Sequence, residues 1–78
     1  MSIRYKGHLV DPRTYKLRGR EGFTAEVYVF DARQGTDTQF LLSPSIFPTK
    51  EIAEQTAIQV GCRAIDRGYD PSFNPYAQ

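Results

Sequence analysis

"IFPTKEIAEQTAIQVGCRAID", residues 46–66, carries the clearest helix signal of the chain. Two features set its start. Pro48 precedes Thr49, whose hydroxyl is suited to cap the first turn of a helix, and Glu51 sits where the helix dipole is positive. Ile52 occupies the place where a full capping box would carry Glu or Gln. Arg67 suits the negative end, and Gly68 is the expected C′ residue. A helix over about 50–67 would be roughly 27 Å long at 1.5 Å per residue. At about 100° per residue, Ile52, Ala53, Thr56, Ala57, Val60, Gly61 and Ala64 share one face. That face is mostly small, which lets the helix backbone approach a sheet closely.

Three stretches before this helix read as strands. "FTAEVYVF", residues 23–30, alternates an apolar row (Phe23, Ala25, Val27, Val29) with a second row of Thr24, Glu26, Tyr28 and Phe30. "TQFLL", residues 38–42, directs Phe40 and Leu42 inward. "IRYKGHLV", residues 3–10, reads as one continuous strand, with Ile3, Tyr5, Gly7 and Leu9 on one side and Arg4, Lys6, His8 and Val10 on the other. Asp11-Pro12 then breaks it or marks an edge bulge, and "RTYKL" would resume the extended chain. "RGREG", residues 18–22, and "DARQGTD", residues 31–37, are turn chemistry, with Gly35 able to take positive φ. An eight-residue strand spans roughly 26 Å, so one helix can lie along the sheet. The expectation is an α+β domain of two layers over residues 1–68: a three-stranded antiparallel sheet with one C-terminal helix across it, β-β-β-α. Residues 69–78, "YDPSFNPYAQ", form an aromatic tail containing proline.

The chain has 78 residues, 40% hydrophobic and 24% charged, with a net charge of +1. That size fits one domain with a modest core. No run approaches the ~20 apolar residues of a membrane span. The start lacks a signal-peptide pattern, so a cytoplasmic location is expected. A single cysteine, Cys62, gives no internal disulfide framework and no Cys-rich zinc site. Cys62 falls mid-helix, away from the positions that activate thiols. His8 is the only histidine, too few for a histidine-built metal site. No glycine-rich phosphate loop occurs. No catalytic residue, cofactor or small-molecule substrate is expected.

Two surfaces remain. Residues 1–20 carry Arg4, Lys6, Arg13, Lys16, Arg18 and Arg20 against Asp11 alone. Arg4, Lys6 and His8, with Arg18, Arg20 and Tyr28, would make a basic and aromatic face for a partner or for nucleic acid, because cations neutralise phosphates and rings stack on bases. Glu26 lies within that face, and cross-strand pairing with Lys is its plainer role. Ile58, Cys62 and Ile65 form a second candidate, an apolar stripe expected on the far side of the helix. The tail, through Tyr69, Phe73 and Tyr76, or a second copy or other partner would cover it, unless its residues are simply exposed one by one. Edge-to-edge pairing of strands is the other route to a dimer.

"Y-K-G-H" (Tyr5, Lys6, Gly7, His8) and "F-x-T-x-x-x-A" (Phe47, Thr49, Ala53) resemble small bacterial β-β-β-α proteins of unknown function. The outline is also similar to the arm-type DNA-binding domain of phage integrases and the plant AP2 domain. That second resemblance implies a sheet face that enters the DNA major groove. The functional expectation is a non-enzymatic accessory or protein-interaction domain that self-associates, with weak nucleic-acid binding through the basic sheet face as the alternative.

Overall fold

The computed structural model describes residues 2–68; the tail aromatics expected over the helix lie outside the described residues. The fold is α+β, an antiparallel sheet and one C-terminal helix, but the sheet has four strands rather than three. They are β1 (Ile3–Tyr5), β2 (His8–Lys16), β3 (Phe23–Asp31) and β4 (Thr36–Leu41), in the spatial order β1-β2-β3-β4, followed by α1 (Lys50–Asp66).

The fourth strand arises at Lys6-Gly7. Both residues have positive φ, 48° and 80°, the requirement of a two-residue hairpin turn. The expected strand over residues 3–10 is therefore a hairpin, with Tyr5 opposite His8 and Ile3 opposite Val10. Opposed residues share a face, so the turn reverses the inward set. Val10 becomes fully buried, while Leu9, expected inward, is 40% exposed on the other side. Asp11-Pro12 does not interrupt β2. β1 pairs only with His8–Val10, so beyond Val10 this flank of β2 is a sheet edge, where proline is tolerated.

The inner sheet face presents Val10, Ala25, Val27, Val29 and Phe40 to α1, all buried. The helix packs over β2 and β3. Its buried residues are Ala53, Ala57, Val60, Gly61, Ala64 and Ile65. A Cβ built on Gly61 would lie 2.8 Å from Val10 Cγ1 and 3.3 Å from Val27 Cγ2. Gly61 thus marks the line of closest approach. At about 100° per residue, Ile65 is about 40° from that line and Ile52 about 180°. This explains two departures from expectation: Ile52 is 44% exposed, and Ile65 belongs to the core.

Both expected caps form. The Thr49 hydroxyl accepts from the Ile52 N–H at 3.1 Å. Gly68, with φ 85°, donates its N–H to Ile65 O at 3.2 Å. Between β4 and α1, Phe47 exchanges two backbone bonds with Phe23, 2.7 and 2.8 Å, which fixes the entry of the helix.

Candidate interaction face

The helix covers one side of the sheet. The register defines what stands on the other. One row across the four strands is Arg4, Leu9, Phe30, Asp37; the next is Asp11, Tyr28, Gln39; the third is Arg13, Glu26, Leu41; the last is Tyr15 and Thr24. Leu9, Phe30, Leu41 and Tyr15 are 39–47% exposed, so this face mixes apolar surface with charge. Beside Arg4, Leu9 and Phe30 form part of the wall of a shallow depression of about 290 Å³.

A polar network sits at the middle of the face. Glu26 is 9% exposed. Its carboxylate accepts from the Tyr15 hydroxyl and from the Gln39 amide, with the Tyr28 hydroxyl farther off at 3.4 Å. Gln39 also donates to Tyr28 Oη at 3.2 Å. The bond to Glu26 holds the Tyr15 hydroxyl above its ordinary pKa, because it stabilises the protonated phenol. Arg13 pairs with Asp11 at 3.1 Å and stacks over the Tyr28 ring at 5.1 Å. The side chains of this face are therefore held by one another before any partner arrives. Glu26, Tyr15, Arg13 and Gln39 as a linked set were not anticipated. The register of β2 against β3, and of β3 against β4, brings them together.

The expected basic cluster is dispersed. Arg4 stands on the outer face. Lys6 lies in the turn and pairs with Asp66 at 2.7 Å, tying the β1–β2 turn to the helix end. Tyr5 Oη donates to the same carboxylate at 3.0 Å. These bonds hold the Asp66 carboxyl below its ordinary range. His8 points to the helix side, its Nδ1 2.9 Å from Lys6 O and its Nε2 3.6 Å from Asp31 Oδ2. Arg18 and Arg20 lie in the β2–β3 connection, about 26 Å along β2 from His8 at roughly 3.3 Å per residue. Tyr28 is on the outer face, beneath Arg13. Of the six candidates, Arg4 and Tyr28 are the two that the register places on the outer sheet face.

The expected helix stripe does not form an exposed row either. Ile65 is buried and Ile58 and Cys62 are half-buried, because all three lie on the flank of the buried face rather than opposite it. Burial first, and then the Asp66 carboxylate, push the Cys62 thiol up, which opposes thiolate reactivity. Among the described residues no helix is long and apolar enough to cross a membrane, and no three metal-ligating side chains cluster.

No protein-family model matches the chain, and neither a curated protein nor a solved structure does so.

Proposed function

We propose that the chain is a small non-catalytic interaction module, and that the outer face of its sheet, which no described helix covers, is the contact surface for a protein. The observation that supports this most is the pairing of Leu9, Phe30, Leu41 and Tyr15, each 39–47% exposed, with polar groups already bonded to one another. Aromatic, apolar and arginine side chains on a pre-organised surface are what protein interfaces select. Nucleic acid is the poorer fit, because Asp11, Glu26 and Asp37 stand on the same face and would repel phosphates.

Photo-crosslinking tests this reading. Benzoylphenylalanine placed at Phe30, on the outer face, is expected to give discrete crosslinked species in cells, identified by peptide mass. The same group at Gln59, exposed on the helix, is expected to give none. Equal yields from both positions, or none from Phe30, would rule the outer face out.

A further inference from the structure

The outer face is not evenly charged. In its first row Arg4 stands on β1 and Asp37 on β4, with Leu9 and Phe30 between them. Both charged residues are exposed, and among the described residues neither has an ion-pair partner. Three strand spacings of about 4.8 Å put roughly 14 Å between them, too far to pair within one chain. In the third row Arg13 is paired with Asp11 and Glu26 is buried under Tyr15 and Gln39, so the first row carries the charge asymmetry.

Reversing the strand order therefore exchanges the signs. We infer that this face binds a second copy of itself, the two sheets packing face to face about a two-fold axis parallel to the strands and between β2 and β3. Such an axis sets β1 over β4 and β2 over β3 of the second copy. Arg4 then meets Asp37 of the second copy, and Leu9 meets Phe30. Each contact occurs twice, as an isologous interface requires. Sheets pack with strands nearly aligned at about 10 Å separation, which suits this arrangement. An axis running across the strands would set β1 over β1 and leave Arg4 with no opposing acid.

The inference rests on the outer face being the contact surface, and names its partner. Sedimentation equilibrium tests it. The wild-type chain is expected to show a mass that rises with concentration to twice the monomer. Arg4→Glu and Asp37→Arg each place two like-charge contacts in the homodimer, and each is expected to weaken it on the order of tenfold. An equimolar mixture of the two variants restores opposite charges at both contacts, so the mixed dimer is expected to return to wild-type strength. That recovery also shows that both variants are folded. A wild-type chain that stays monomeric at millimolar concentration overturns the inference. So does a dimer that neither variant weakens, or one that both weaken and the mixture fails to restore. If Phe30 crosslinks only to a different protein, the second copy is wrong and the outer face stands. If Phe30 crosslinks to nothing, both fall.

Discussion

At Gly61 the helix backbone comes so close to the sheet that a methyl group has no room. The nearest atom to an added Cβ is Val10 Cγ1, at 2.8 Å, on a stiff β-branched side chain that is itself fully buried. Two effects compete in Gly61→Ala. Alanine gains about 1 kcal/mol in helix propensity, whereas overpacking a filled core costs about 1–3 kcal/mol. We expect a net loss of about 1 kcal/mol, read as a lower urea midpoint with an unchanged slope. An unchanged or raised midpoint would show that the valines can recede. The small residues of this face were legible in the sequence, since Ala53, Ala57, Gly61 and Ala64 recur at helical spacing. Which of them faced the sheet most directly was not. Ile52 and Ile65 are equally apolar, and only the docking of the helix separates the exposed one from the buried one.

Among the elements, the β1–β2 hairpin and the end of α1 hold each other through Asp66. An acid at the negative end of a helix is unfavourable by itself, and here Lys6 offsets it with one hydrogen bond and Tyr5 with a single hydroxyl proton shared between both carboxylate oxygens. The Asp66 pKa is lowered by these bonds. Its contribution to stability is thus fully present above the ordinary aspartate value of 3.8 and is lost as pH falls through the lower folded value. Thermal midpoints measured from pH 6 to pH 2 should fall less steeply for Asp66→Asn than for the wild-type chain. Equal slopes would mean that the contact is absent in solution. The hairpin itself was the main feature that the sequence concealed. Lys6-Gly7 is not among the usual two-residue turn pairs, and the alternation from Ile3 to Val10 fits an unbroken strand. A two-residue turn changes which alternate residues face inward, so a single missed turn moved Leu9 and His8 to the wrong sides. The helix ends fared better, because Thr49 and Gly68 signal their positions through local chemistry alone.

Over the whole molecule, α1 lies on β2 and β3 and leaves the two edge strands less covered. Native-state hydrogen exchange should follow that division. The ladder amides of β2 and β3 around Val10, Val27 and Val29 should exchange slowest, and those of the three-residue β1 fastest among the strands. Uniform protection across all four strands would contradict it. The two-layer outline was readable beforehand because helix and strand lengths match. The open face was readable only in part: the row of Thr24, Glu26, Tyr28 and Phe30 was correct, but its neighbours were misassigned with the hairpin. The gap at Gly61 also governs how the layers seat. A helix on a smooth apolar sheet can slide along its axis with little change in buried area. Here a slip of one turn would bring Ala57 or Ile65 over Val10, Val27 and Val29, where even a single carbon is too large. The missing side chain thus acts as a key that favours this seating of the helix over its neighbours, and the small core gains packing specificity from its least bulky residue.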